Sequence, residues 1–250
     1  MQVMQQWTDR ASYNRSLGQW HFPPLVHTKW NSESTIPPRA RECFMHTYWP
    51  HLYSIYTAVP RPVMKVDLLR SALLATFGGV WSDIDACPLK PISAWPLKDG
   101  DGLVIGVEAD MESDVWPNHF ARKFQFLTWT FASVPGHPAM TAYLHMARRA
   151  VVARRLPNGK YHPEVSDGDV LDLTGPGQFT DAMFTYLRTW GDASFNAMHF
   201  MDAPMRFNDA VTGTSRPSYS RNHLDAEAMV LHLFLGSWRQ GRYDMSPTDG

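Results

Sequence analysis

The segment that decides the fold reads Phe77-Gly78-Gly79-Val80-Trp81-Ser82-Asp83-Ile84-Asp85. The apolar spacing before it predicts an amphipathic helix over Lys65 to Phe77, which Gly78 ends because glycine is favoured just past a helix C-terminus. The apolar residues after the glycines predict a buried strand. If the chain stays extended to its end, Asp83 and Asp85 point to the same side, about 6–7 Å apart along the strand. Two hard oxygen donors placed in this way can share one divalent cation.

The pattern Asp-x-Asp occurs at two further places, Asp99-Gly-Asp101 and Asp167-Gly-Asp169. Both have glycine at the centre and further turn residues nearby, which favours solvated loops over metal ligands. The first pattern differs because Ile84 is at its centre, and because Gly78 and Gly79 remove side chains where a ligand or a second backbone can approach. From the residues alone, an acidic turn at a strand end remains the alternative interpretation.

The composition limits the classes of partner. A chain of 250 residues fits one α/β domain, and its formal net charge of -1 gives no attraction to nucleic acid or to an anionic membrane. The longest apolar run, Ala228 to Leu235, is interrupted by His232 and is too short to span a bilayer, and residues 1–22 lack the apolar core of a signal or anchor. We therefore expect a soluble chain with no nucleic-acid partner and no membrane span.

Helical and strand patterns alternate along the rest of the chain. Beyond the central segment, the sequence predicts a strand within Pro23 to Trp30, helices over Arg39 to Tyr56, Phe120 to Phe131, Pro138 to about Leu156 and Thr180 to Trp190, and strands at Leu103 to Val107 and Ala228 to Leu235. Strands that alternate with helices imply a mainly parallel sheet flanked by helices.

Five blocks in this order carry a family resemblance. They are Pro24 to Trp30; Lys65 to Arg70 with Gly78 to Asp85; Gln125 to Trp129 with Pro135 to Pro138; Leu173 to Asp181; and His232 to Trp238. At these residues the chain resembles the DXD-containing glycosyltransferases of family 32, most closely the fungal initiation-specific alpha-1,6-mannosyltransferase type. Ordered matches over most of the chain are far more specific than one short motif.

The resemblance implies a single-domain GT-A fold, which is a Rossmann-like α/β architecture with a mainly parallel sheet. The glycosyltransferase domain is expected at residues 22–240, between an N-terminal arm at residues 1–21 and a C-terminal tail at residues 241–250. It also implies a nucleotide-sugar donor, a divalent cation, retention of anomeric configuration, glycan biosynthesis as the process and the Golgi lumen as the compartment. No anchor is predicted in this chain.

The resemblance also implies roles for individual residues. Asp83 and Asp85 match the pair that holds the cation, and Asp67 and Arg70 match the pair that grips the donor sugar. Further contacts to the donor or its cation are implied for His27, Trp30, Gly79, Asp181, His232, Ser237 and Trp238. Of these, Trp30 would stack on the nucleobase, and His232 would be a late metal ligand or diphosphate contact. Ser237 and Trp238 would lie near the leaving phosphate. The alternatives are a surface ion pair for Asp67 and Arg70, a core position for Trp30 and a buried, hydrogen-bonded histidine for His232.

The expected reaction is transfer of mannose from GDP-mannose to a glycan acceptor, with Mn²⁺ as the cation and Mg²⁺ as the second candidate. A UDP-hexose is the alternative donor, because no residue distinguishes guanine from uracil. A catalytically silent GT-A module that binds a glycan or a protein partner is the alternative from another class. The silent module is suggested by the short interval between Trp30 and Asp67. In the family that the chain resembles, a further helix and strand normally lie in this interval.

Overall fold

The computed structural model describes residues 26–28, 38–83, 85–91, 102–110, 120–154, 164–194, 207–209 and 230–232. These residues form six helices and seven strands. The helices are α1 (Pro38–Tyr48), α2 (Pro50–Ala58), α3 (Pro62–Phe77), α4 (Pro138–Ala153), α5 (Asp167–Leu173) and α6 (Pro176–Ser194). The strands are β1 (Val26–Thr28), β2 (Gly79–Ser82), β3 (Ala86–Pro88), β4 (Leu103–Asp110), β5 (Phe124–Ser133), β6 (Phe207–Asp209) and β7 (Val230–His232).

The α/β class is confirmed, because the described residues form both helices and sheets. The expectation of a mainly parallel sheet is wrong for the described strands. The larger sheet has the order β1-β2-β5-β4, in which β1 pairs with β2 in parallel while β5 pairs antiparallel with both β2 and β4. The smaller sheet has the order β3-β7-β6, with one antiparallel and one parallel pairing.

The error has its source at residues 120–131, which were predicted as a helix. Residues Phe124 to Ser133 form strand β5 at the interior of the larger sheet. A strand buried on both faces shows a continuous apolar run, and over about ten residues periodicity does not distinguish such a run from a buried helix. Once this segment is a strand, β4 and β5 are successive strands that pair antiparallel, rather than strands joined in parallel across a helix.

The other helix predictions were correct in place and inaccurate in their bounds. The predicted helix from Arg39 to Tyr56 is two helices, because the chain breaks at Trp49 and restarts with Pro50 at the N-terminus of α2. The helix before the glycines begins at Pro62 rather than Lys65, again with proline in its first turn. The last long helix begins at Pro176 and ends at Ser194.

Helix α3 is the central element of the core. It packs against α4, β2 and β5, with α1 and α2 also in contact, and twelve of its residues are buried, including Asp67 and Arg70. The expectation of an amphipathic helix is therefore wrong, because a helix covered on all sides has no solvent-facing polar stripe.

The turn from α3 into β2 requires glycine. Gly78 has a φ of 66° and donates its N–H to the Leu74 carbonyl at 2.8 Å, which ends the helix. A Cβ atom at Gly78 would lie 2.5 Å from Cδ of Pro135, so the segment between β5 and α4 leaves no room for a side chain. Gly79 also has a positive φ, of 101°. These two glycines fix the direction in which β2 leaves the helix.

Candidate active site

The two aspartates of the central segment lie in a turn between the sheets. Strand β2 ends at Ser82, and the Asp83 N–H donates to the Trp129 carbonyl of β5 at 2.7 Å. The Ala86 N–H then donates to the Asp83 carbonyl at 3.0 Å, which closes the turn and starts β3. The expectation that both aspartates continue one extended strand is wrong. The chain turns at Asp83 because β3 joins the smaller sheet instead.

The smaller sheet brings a histidine to this turn. Ala86 of β3 pairs directly with His232 of β7, so the side chain of His232 lies beside the aspartates. Nε2 of His232 is 3.3 Å from Oδ1 of Asp85. One ligand atom from each of Asp83, Asp85 and His232 lies within 4.8 Å of the others. The structure thus assembles the three residues for which metal binding is expected.

The spacing and chemistry of these atoms fit one divalent cation. Oxygen and nitrogen ligands at about 2.0–2.6 Å from an ion lie up to roughly 4–5 Å from each other, as these three do. Two carboxylates suit hard cations, and an imidazole moves the preference toward a transition ion such as Mn²⁺ over Mg²⁺. Asp83 and His232 are buried and Asp85 is partly buried, so a cation held here would be largely shielded from solvent.

Two buried side chains, those of Trp81 and Arg70, fix the carboxylate of Asp83. The indole N–H of Trp81 donates to Oδ1 of Asp83 at 2.8 Å. Nη1 of Arg70 is 3.8 Å from the same oxygen, and the Arg70 guanidinium lies 5.7 Å from the centre of the Trp81 ring. Asp83 is therefore oriented by a neutral donor and by a buried positive charge.

Asp67 and Arg70 form a buried ion pair one helical turn apart. Nη2 of Arg70 donates to Oδ1 of Asp67, and Nη1 donates to the Thr128 carbonyl of β5. Their side chains are only 4% and 5% exposed, so the alternative of a surface ion pair is wrong. Burial alone would lower the pKa of Arg70, but the negative charges of Asp67 and Asp83 more than offset it and raise that pKa. Arg70 therefore keeps its charge between two carboxylates.

A second set of hydrogen bonds supports Asp67 from the opposite side. The hydroxyl of Thr174 donates to Oδ2 of Asp67 at 2.8 Å, and the Tyr143 hydroxyl donates to the carbonyl of Thr174. Burial, followed by the charge of Asp67, raises the pKa of Tyr143 well above its usual value, so its O–H remains a donor. Thr174 and Tyr143 were not predicted as site residues, because the bond from Thr174 to Asp67 and the bond from Tyr143 to Thr174 depend on the tertiary fold alone.

Several predicted donor contacts lie outside the described residues. These are Trp30, Ser237 and Trp238, and the pattern Asp99-Gly-Asp101 lies there as well. His27 occupies β1 opposite Trp81 of β2, and its side chain is likewise outside the description. Gly79 begins β2 just above the aspartate turn.

Asp181 has partners away from the aspartate turn. Its carboxylate accepts from Nε of Arg122 at 2.9 Å and from Nη2 at 2.6 Å, while Nη1 of Arg122 donates to Asp172 at 2.7 Å. Asp181 is on α6, where the neighbouring Thr180 hydroxyl accepts the Phe126 N–H near the start of β5. Among the described residues it is Thr174, rather than Asp181, that brings the Leu173 to Asp181 block to the buried pair.

The pattern Asp167-Gly-Asp169 was expected to be a solvated loop. It is instead the first turn of α5. The Ser166 hydroxyl accepts the Asp169 N–H at 3.0 Å and the Asp169 carboxylate accepts the Ser166 N–H at 3.1 Å, which forms a capping box. Its carboxylates also pair with Arg61 and Arg154. This pattern therefore has a structural role at the start of the helix.

The region around Asp83 and Asp85 is similar to a known family of proteins. Residues 11–100 match the family described as the glycosyltransferase sugar-binding region containing DXD motif. The matched region contains α3, β2 and both aspartates of the turn. The resemblance to the DXD-containing glycosyltransferases is confirmed.

Curated relatives extend this similarity along the chain. The chain is 32% identical over 197 residues to the initiation-specific alpha-1,6-mannosyltransferase of Schizosaccharomyces pombe, which covers 74% of this chain and 49% of that protein. It is 27% identical over 226 residues to the Candida albicans protein of the same name, covering 78% and 59%. It is 32% identical over 214 residues to the putative glycosyltransferase HOC1 of Saccharomyces cerevisiae, covering 78% and 54%. The chain thus spans about half the length of the curated relatives it matches.

A solved structure is also similar. The PaToxG glycosyltransferase has a TM-score of 0.44 and 17% identity to this chain, with 78% of this chain and 81% of that chain covered.

In the part of the chain that the structure describes, no helix combines the length and apolar character needed to cross a membrane.

Proposed function

We propose that this chain is a metal-dependent retaining glycosyltransferase that moves a hexose from a nucleotide sugar to a glycan acceptor. Mannose from GDP-mannose is the first candidate for the donor, because two of the relatives above are named alpha-1,6-mannosyltransferases. The Golgi lumen is the compartment that accompanies this proposal. A UDP-hexose is the second candidate for the donor.

The observation that carries the proposal is the meeting of Asp83, Asp85 and His232 at one turn, with their ligand atoms within 4.8 Å. These three residues would hold Mn²⁺ or Mg²⁺. When bound, such a cation supplies electrostatic stabilisation of the diphosphate as it leaves the sugar. Because β2 and β7 belong to different sheets, the cluster depends on their packing, and both sheets must be in place for it to form.

Arg70 would contribute a fixed positive charge beside the cation site. Its guanidinium is held by Asp67, by the Thr128 carbonyl and near Asp83, so it needs little rearrangement when charge develops nearby. With Asp67, it would bind the donor sugar, as the family resemblance implies. Trp30, His27, Gly79, Asp181, Ser237 and Trp238 would complete the contacts to donor and diphosphate.

The test is a thermal-shift panel with GDP, UDP, GDP-mannose and UDP-hexoses, each with and without Mn²⁺. A ligand at a hundredfold excess over its Kd stabilises the folded state by about 2.7 kcal/mol. For a chain of this size each kcal/mol raises Tm by roughly 2–4 °C, so a shift of about 5–10 °C is expected with GDP species and Mn²⁺ together.

Asp85→Asn is the matched control, because it removes one ligand charge and keeps the size of the side chain. In that variant the Mn²⁺-dependent part of the shift should disappear. A shift with UDP species alone would support the UDP-hexose donor. If no nucleotide shifts Tm with any metal, the proposal fails and the module that binds a glycan or a protein partner becomes the better account.

A further inference from the structure

One residue of β5 contacts two of the three proposed ligands of the cation. The Trp129 carbonyl accepts the Asp83 N–H at 2.7 Å, in the larger sheet. The Trp129 indole ring stacks on the imidazole of His232, with ring centres 4.6 Å apart and planes at 7°. His232 belongs to the smaller sheet, so Trp129 joins the two sheets beside the aspartate turn.

From this arrangement we propose that Trp129 is a positioning residue for the cation site, with its ring fixing the plane of the His232 imidazole. The inference rests on the proposed function, because it concerns the same cluster. It adds a residue from a strand that supplies none of the three proposed ligands.

The geometry gives the reason for a positioning role. A nitrogen ligand binds a cation along the direction of its lone pair, so the plane of the imidazole decides where His232 can place a metal. One face of that ring is covered by Trp129, and its Nε2 edge is 3.3 Å from Asp85. Free rotation of the side chain would separate Nε2 from the carboxylates. Groups that orient a ligand in this way typically change metal affinity by 10- to 100-fold when they are removed.

A core aromatic with no influence on the site is the competing explanation, and Phe131 provides the matched control. Phe131 lies two residues further along the same strand, is fully buried and packs on Phe179 of α6, 5.2 Å between ring centres. Phe131→Leu therefore removes, from the same strand, an aromatic ring that packs on Phe179, whereas the ring of Trp129 stacks on His232. Trp129→Leu keeps the backbone carbonyl that holds Asp83 and removes only the ring.

The experiment measures Mn²⁺ affinity by the EPR signal of the free ion, for the full chain and its variants. We expect Trp129→Leu to raise Kd by about 10- to 100-fold and Phe131→Leu to change it by less than about threefold. In a His232→Ala background, the further change Trp129→Leu should alter Kd by less than about threefold, because the ring acts through His232. An equal Kd for wild type and Trp129→Leu, an equal loss in Phe131→Leu, or a full further loss in the His232→Ala background would overturn the inference.

A second readout tests the stacking in the metal-free protein. The ring protons of His232, assigned by their absence from the His232→Ala spectrum, should be shifted upfield in wild type by the indole and should return toward ordinary values in Trp129→Leu. Unshifted His232 signals in wild type would overturn the inference. If Trp129→Leu does not fold, Trp129→Phe replaces it, and we expect a smaller upfield shift than in wild type and a rise in Kd that exceeds the change in Phe131→Leu. Wild-type values for both would overturn the inference.

Failure of the proposed function has a different signature. If wild type binds no Mn²⁺, or if Asp85→Asn binds it as tightly as wild type, the cation site itself is wrong and the role of Trp129 is overturned with it. If wild type binds Mn²⁺ and Asp85→Asn does not, while Trp129→Leu binds it normally, only the role of Trp129 is wrong.

Discussion

Replacement of Arg70 by methionine is expected to cost the fold about 3–5 kcal/mol, the usual cost of removing one partner of a buried ion pair. Both side chains of the pair are at most 5% exposed, so solvent and salt screen the interaction little. Methionine keeps much of the apolar stem and leaves the Asp67 carboxylate buried without its cation. The charge that faces Asp83 at 3.8 Å is lost as well. At roughly 2–4 °C per kcal/mol, Tm should fall by about 6–20 °C.

The assay is urea unfolding at neutral pH, with melting curves as a check. Arg122→Met is the matched control, because Arg122 also binds two aspartates, Asp172 and Asp181, but their side chains are 55% and 43% exposed. Its loss should cost about 1 kcal/mol or less.

A second variant separates charge from packing. Adding Asp67→Leu to Arg70→Met removes the unpaired carboxylate and should recover most of the lost stability, since an apolar pair often replaces a buried ion pair at little cost. The reasoning is refuted if Arg70→Met destabilises no more than Arg122→Met, or if the double variant is less stable than Arg70→Met alone.

Three further predictions concern other contacts. Burial lowers the pKa of His137 from 6.5 to about 4. Between these two pH values the unfolded chain binds a proton on this imidazole and the folded protein does not. The contribution of His137 to stability should therefore be full above pH 6.5, and the free energy of unfolding should fall by roughly 3 kcal/mol as the pH drops through 4. His137→Asn should show less of this loss in urea unfolding at pH 7 and 4.5, and identical losses would contradict the assignment. Thr174→Val should lower the free energy of unfolding by about 1–3 kcal/mol and reduce turnover, because it removes the hydroxyl that donates to Asp67. Thr174→Ser keeps the hydroxyl and should retain most of the stability and most of the turnover. Equal effects of the two variants would exclude the hydrogen bond as the cause. Asp83→Ala and Asp85→Asn should both abolish transfer and Mn²⁺ binding, but only Asp83→Ala should lower Tm appreciably, because Asp83 is bound to the Trp81 indole; normal turnover of either variant at saturating Mn²⁺ would refute the metal assignment.

The local features of the fold could be predicted from the sequence because each depends on neighbouring residues. Gly78 ends α3 through its own backbone geometry, and Pro138 marks the beginning of α4, as the sequence predicts. The aspartate pair was located by its position after the two glycines and a short apolar strand. The family resemblance then associated His232 with this pair from far along the chain, and the structure places it there.

The sequence, together with its family resemblance, locates the candidate site residues: the Asp83 and Asp85 pair, the Asp67 and Arg70 pair on one face of a helix, and the glycines between them. The packing of distant segments makes β5 a strand, separates β3 from the larger sheet and buries the Asp67 and Arg70 pair. Burial and strand pairing depend on contacts between distant segments, which local periodicity does not encode. For the same reason, the supporting contacts of Thr174, Tyr143 and Trp129 became visible only when α3, α4, β5 and β7 were packed together.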